Sequence, residues 1–496
     1  MNQLDHQQAP NLSLWRSNPI YQILAWSYLL ALTASFAVIG VNVVTLIAFI
    51  LIAAIFILPS PLLGLALIIS LTMIFERFFT LEPLMINQIA YKLYPLDIII
   101  GLTIVATALA YWRQRRWPRI SWHWPEKLLA LFILLTVIYF FRGLMDINAD
   151  FYVLFSSFKN YAFYPLLYFL TISLVTNEAQ LKRIIKIIIN SCLVIILFIA
   201  FGFLTGEGLW TEFTPLSTGG SRLLAGTHAF YLVLGLLLTL SLMAFRKLTN
   251  NNAANAVIVI WLIGIAGSLM RHLWLGLLGA ILLLWLLIPL KNKKILARLL
   301  ARSALIIIAA AVIIILIVNL LPPWHSGQKI LEPFFDWYQR LTSIGDVELD
   351  SSINWRLVLW QTAQKTWLDS PLIGIGLGKK IPLEFTDWQN FEEIRNIHNS
   401  PLAILIQMGL IGFLLFAGFI SASAVYSWKK IRPNQALYPY YAGLISALAA
   451  ILFFSLFQPY LETNLTAIFF WLFLGLIATS RNFLTPNQDY ENTPNQ

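Results

Sequence analysis

Long apolar runs follow one another along nearly the whole chain, near 21–40, 42–58, 61–80, 95–112, 126–142, 161–176, 184–204, 226–245, 255–270, 272–289, 303–321, 400–427, 436–457 and 463–480. A helix that crosses a bilayer needs roughly 20 mostly apolar residues. Inside hydrocarbon every backbone polar group must be satisfied internally, which leaves helices and closed barrels as the structures that span. A barrel strand would alternate apolar and polar residues over about 10 positions, whereas these runs are continuous. The pattern predicts an all-α polytopic membrane protein of about 12–14 transmembrane helices. The composition fits: 59% of the 496 residues are hydrophobic and only 11% are charged, against about a quarter charged in soluble domains.

The net charge of +10 would point to nucleic acid in a soluble chain. Here most lysines and arginines fall in short loops, such as Arg113 to Lys127, Lys182 to Lys186, Arg246-Lys247, Lys291 to Arg302 and Lys429 to Arg432. Basic short loops face the cytoplasm, so no nucleic-acid partner is expected. The resulting expectation is a cytoplasmic tail over 1–20 and transmembrane helices over 21–321, with outer segments near 205–225 and a short-helix break near 271. A large extracytoplasmic loop with short helices follows over 322–399, then C-terminal transmembrane helices over 400–480 and a polar cytoplasmic tail over 481–496. The N-terminus is polar and carries no charged-then-apolar cleavable signal, so the first span is expected to insert uncleaved. The single cysteine, Cys192, lies inside a run and offers no disulfide or metal cluster.

This orientation gathers several polar residues on the outer side. In IRNIHNSPLAILIQMGLIG a histidine and an asparagine, His398 and Asn399, stand at the mouth of an apolar helix. Asn399 or Ser400 suits a helix cap and Pro401 its first turn, which is reason enough for the asparagine but not for the histidine. An imidazole with an ordinary pKa of about 6.5 is a usable base near neutral pH. Arg222 lies just before the run at 226, and Arg271 lies at the tip of a hairpin made by two short runs. An arginine in apolar surroundings costs about 3 kcal/mol or more and persists with a carboxylate, water or an anionic ligand. Two guanidinium groups at one membrane face suit a diphosphate, whose oxygens they bind in a two-pronged way. Arg142, Lys159, Arg356, Arg395 and Asn399 are further candidate substrate contacts. His325 is a rival to His398 as base, whereas His228 and His272 read as packing or hydrogen-bonding residues.

In the loop, SSINWRLVLWQTAQKTWLDSP reads as a helix stopped by Pro371, with Trp360, Ala363 and Trp367 on one face. PLIGIGLGKK after it lacks the strand–turn–helix setting of a nucleotide loop. No Asp-x-Asp pair in an outer loop, metal-spaced Cys/His cluster or G-x-S-x-G elbow appears. Neither a metal nor any other cofactor is expected.

IHNSPLAILIQMGLIGFLLF, with its Gly409-Leu410-Ile411-Gly412 step, resembles the signature of the O-antigen ligase and polymerase family. NWRLVLWQTAQKTWLDSPLIGIGLG resembles that family's preceding loop, and SRLLAGTHAF with Arg271 fits its earlier arginine positions, although the residues after Arg271 are bulkier than usual. The similarity spans roughly 215–425. It implies a metal-independent, inverting glycosyltransferase in a bacterial inner membrane, multi-pass and active on the extracytoplasmic face. The donor would be a glycan on undecaprenyl diphosphate, and the acceptor a hydroxyl of lipid A-core or another glycan, within membrane lipid. Arg222 and Arg271 would bind the diphosphate and His398 would act as base. Trp324, Trp337, Trp355, Trp360, Trp367 and Trp388 would be candidate sugar-stacking faces. The alternatives are an O-antigen or exopolysaccharide polymerase, a protein oligosaccharyltransferase and, in another class, a bicarbonate or other small-solute transporter.

Overall fold

The computed structural model describes residues 19–86, 89–115, 120, 122–206, 208–210, 222–249, 252–320, 351–385, 388–432 and 435–483. The tails, His325, Trp324 and Trp337 lie outside the described residues, and of Trp388 only the backbone is described. The chain is an all-α polytopic membrane protein: a helix stands at every apolar run, and the described strands form two short antiparallel hairpins. Among the described residues five helices are long and apolar enough to cross a membrane, by length and composition, among them Glu178–Thr205, Gly226–Ala244 and Ser400–Trp428. Local chemistry sets many of the helix starts. Asn42 and Asn177 cap with reciprocal partners Thr45 and Gln180, Asp150 caps with its carboxylate, and Pro61, Pro95 and Pro401 occupy first turns.

Two helices are buried on almost every side. Gly226–Ala244 packs against Glu178–Thr205, Asn252–Gly267, Arg271–Leu287 and Tyr438–Phe454. Asn464–Ala478 packs against Leu166–Leu174, Tyr438–Phe454 and Ser400–Trp428. A helix apolar all round belongs in the middle of a membrane bundle, and these two form that middle.

The run expected at 161–176 starts earlier, at Phe151. It continues through a π-helical turn over Lys159–Phe163 to Leu166–Leu174, with Pro165 between. Lys159, expected on an outer loop, is buried in this turn and pairs with Asp97 at 2.6 Å. Tyr164 donates to the other Asp97 oxygen at 2.7 Å, and the Lys92 carbonyl accepts from Lys159 at 2.7 Å.

The segment after Pro371 docks into a break in a helix. Ser400–Trp428 breaks at Gly409, whose φ is 65°. Around the break Ile375 and Gly376 donate backbone bonds to Ile406 and Gln407, and Leu410 and Ile411 donate to Pro371 and Leu372. A Cβ on Gly409 would stand 2.2 Å from the Leu372 carbonyl oxygen, so the close approach and the left-handed backbone both require glycine. A break in a helix frees backbone polar groups that need partners, and residues 371–376 supply them here.

Candidate functional site

One end of the bundle gathers the starts of Gly226–Ala244, Arg271–Leu287, Ser400–Trp428 and Asn464–Ala478 with the ends of Asn252–Gly267 and Tyr438–Phe454. Backbone bonds tie these ends together. Gly208 donates to the Arg222 carbonyl at 2.6 Å, Leu223 to Gly267 at 3.0 Å, and Ser400 to Ser455 at 2.8 Å. The Arg222 segment therefore lies beside the Ser268–Met270 break that precedes Arg271. Gly226 admits the Met270 thioether there, since a Cβ would meet Sδ at 2.2 Å.

His398 is held by its surroundings. A 3₁₀ turn over Ile394–Asn396 leads into it, and the Trp360 indole N–H donates to the Ile397 carbonyl at 2.8 Å. Ile394 and Ile397 are buried with Leu359, Ala363, Ala403 and Ile406 in a small separate core beneath Ser351–Leu368. That helix thus packs on protein with its Leu359 and Ala363 face, rather than lying free at an interface. Asn399 accepts from the Leu402 N–H at 3.0 Å and caps the following helix. His398 itself has φ 56°, a left-handed conformation that a non-glycine residue keeps only where its surroundings over-determine it. The Trp355 ring meets its imidazole edge-on, 5.1 Å between centroids. Nδ1 of His398 is buried and has no hydrogen-bond partner among the described residues. Burial first, and then the Arg356 guanidinium, push His398 down to about 4 against the opposing effect of Gln458. The ring is therefore neutral at neutral pH, the form that accepts a proton.

His272 is the meeting point. Its Nε2 lies 3.0 Å from the Tyr460 hydroxyl, and the charges of Arg356, His398 and Arg222 act on it together. Arg222 acts on Tyr460 as well. Arg271 is the residue before His272, at the first position of its helix. The structure thus brings Arg222, Arg356 and His398 around one imidazole, with Arg271 adjacent. Two of the groups that act on His272 are the guanidinium groups of Arg356 and Arg222, and Arg356 acts on His398 as well. Cations from separate chain segments, drawn together in a largely buried place, make a seat for an anion.

The other candidates go elsewhere. Arg142 lies over the Tyr139 ring, 5.7 Å from its centroid. Lys159 is committed to Asp97. Arg395 donates to the Ser156 hydroxyl at 2.7 Å and acts on Glu462 and Tyr161, away from the imidazoles. Trp360 and Trp367 spend their N–H groups on the Ile397 and Pro371 carbonyls, which makes them props of the loop.

Sequence reasoning missed Glu462, Gln458 and Tyr460. Glu462 is buried and accepts from Tyr161 at 2.6 Å and from Ser400, two residues beyond His398. Burial raises it to about 7 although both hydrogen bonds work against the rise. The signal was the polar interruption QPYLETN between two apolar runs. His272, expected to pack or to hydrogen-bond, does hydrogen-bond, to the Tyr460 hydroxyl.

Residues 256–417 match the family described as O-antigen ligase. No curated protein matches the chain. The match takes in Arg271, His272, Arg356, the docked segment at 371–376, His398 and the broken helix, so the chain is a membrane protein that carries an O-antigen ligase family domain.

Proposed function

We propose that the protein is a membrane glycosyltransferase that moves a glycan from undecaprenyl diphosphate to an acceptor hydroxyl at the outer face of the inner membrane, as an O-antigen ligase with lipid A-core as acceptor. The observation that carries this reading is the neutral, buried His398 set within a cluster of guanidinium groups. The acceptor hydroxyl gives its proton to His398 while its oxygen attacks the anomeric carbon. The sugar–phosphate bond breaks, and its electron pair leaves on the diphosphate. Arg222 and Arg271 bind that diphosphate, and Arg356 adds positive charge where negative charge grows, which is the largest lever available to such a site. Attack from the face opposite the leaving group inverts the anomeric centre.

The positive-inside distribution of the short basic loops supports an outward-facing site. A site outside the cytoplasm fits a membrane-held donor. The clustering of the telling residues at one end of the bundle favours this reading over a transporter, whose binding groups lie near the midplane. The test is transfer by the purified protein of lipid-linked glycan to lipid A-core. Wild type is expected to form the ligated product and release undecaprenyl diphosphate, with His398→Ala folded but inactive. Full turnover by His398→Ala removes the assignment of the base. Solute transport by wild type without glycan transfer removes the enzyme reading.

A further inference from the structure

A cavity shares a wall with the imidazole cluster. It has a volume of about 270 Å³ and is lined by Glu76, Arg77, Trp210, Thr227, Gln458 and Tyr460, among others. Gln458 is the polar neighbour of His398, and Tyr460 is the partner of His272. We propose that this cavity is a sugar subsite that takes the ring directly attached to the diphosphate of the donor. The inference rests on the transferase reading and deepens it.

Its chemistry is that of a sugar site. Glu76 is 5% exposed. Its Oε2 lies 3.3 Å from Nδ1 of the fully buried His228 and accepts no hydrogen bond from a described residue. The lining is mostly apolar, and the buried carboxyl oxygen of Glu76 within it is an acceptor for ring hydroxyls. Trp210 supplies an aromatic wall, and Thr227 and Gln458 supply groups that both donate and accept. The volume is near the lower end for ligand pockets, roughly 300 Å³, which is room for one ring rather than a chain.

Backbone strain marks the same place. Glu76 has φ 42° and Trp210 has φ 62°, and neither is glycine. Left-handed non-glycine residues concentrate at ligand clamps, and two of those in this chain line this one cavity. Its position completes the argument. A diphosphate held between Arg222 and Arg271 has His398 on one side, and across Gln458 and Tyr460 it has this cavity. The ring it carries would sit there with its anomeric carbon toward the imidazole.

The test compares two lipids on the full-length protein in nanodiscs: undecaprenyl diphosphate alone, and the lipid-linked glycan isolated from a strain deleted for the protein. Glu76→Gln is expected to weaken binding of the glycan-bearing lipid tenfold or more and to leave undecaprenyl diphosphate unchanged. Thr227→Val, a change of nearly the same shape, is expected to give the same pattern at about threefold. Equal loss for both lipids, or no loss for either, overturns the subsite while the transferase reading stands. Wild type that binds neither lipid overturns the transferase reading and the subsite with it.

Discussion

The molecule holds two kinds of buried cation. Lys159 and Arg481 each face a carboxylate, Asp97 at 2.6 Å and Glu126 at 2.5 Å; Tyr164 donates to the other Asp97 oxygen, while on Glu126 Tyr168 shares Oε1 with Arg481 and the His123 N–H takes Oε2. In each group the cation is matched by a carboxylate. Around His272 lie the guanidinium groups of Arg222 and Arg356 with the neutral His398. A closed pair joins helices far apart in sequence. The guanidinium groups of Arg222 and Arg356 come instead from separate chain segments to one imidazole. The contrast is between cations matched to a carboxylate across the bundle and cations gathered beside histidines, even though both sets look alike in sequence, as cations within apolar chain.

The sharpest way to break that contrast is to delete one member from each side. His398→Ala is expected to lower turnover by roughly 10²–10⁴-fold, the usual worth of a general base, with the thermal midpoint close to wild type in the same detergent. Lys159→Met leaves Asp97 buried without its cation, a change that costs about 3–5 kcal/mol, so yield and thermal midpoint fall while the folded fraction turns over normally. If His398→Ala unfolds the protein, or Lys159→Met abolishes turnover in well-folded material, the division fails.

A smaller effect sharpens the cluster's internal electrostatics. With His398 held near 4, turnover is expected to persist as pH falls through 6.5 and to decline only near 4. Arg356→Gln removes a cation that disfavours protonation, so the acidic limb moves upward toward 6.5. The same shift has a stability consequence. Unfolded chain binds the His398 proton near 6.5 and folded chain near 4, so this group lowers stability as pH drops across that window. An acidic limb that stays put in Arg356→Gln dissociates the guanidinium from the imidazole.

The smallest change tests how the anion is held. Arg222→Lys keeps the charge but loses the fork that grips phosphate oxygens in two places. A loss of about tenfold in kcat/KM with lipid-linked donor is expected, against a much larger loss for Arg222→Ala. Equal losses for the two substitutions would mean that geometry and not charge is what Arg222 contributes.

The sequence made the membrane class, the helix positions and the motif residues readable because they rest on local facts: run length, caps, prolines and the company of a histidine and an asparagine. It pointed to Arg222, Arg271 and His398 through the cost of placing such groups in apolar chain. It ranked Arg356 among minor contacts, because nothing in SSINWRLVLW says which way the helix faces; tertiary packing of Leu359 and Ala363 decides that. It placed Lys159 on a surface because its partner, Asp97, lies 62 positions earlier. Glu76 and Trp210 went unnoticed for the same reason, since a cavity wall assembled from four distant segments leaves no spacing to read. The glycines of PLIGIGLG were seen as turn formers, and the sequence alone did not reveal that they fit the break at Gly409.

That interlocking has a genealogical corollary. The stretch from 371 to 376 and the helix from 406 to 411 share a fixed register, so a single inserted or deleted residue in either shifts every bond between them. Length differences among kindred proteins are therefore expected to fall outside these two stretches, and the lengths of both to be inherited almost unchanged.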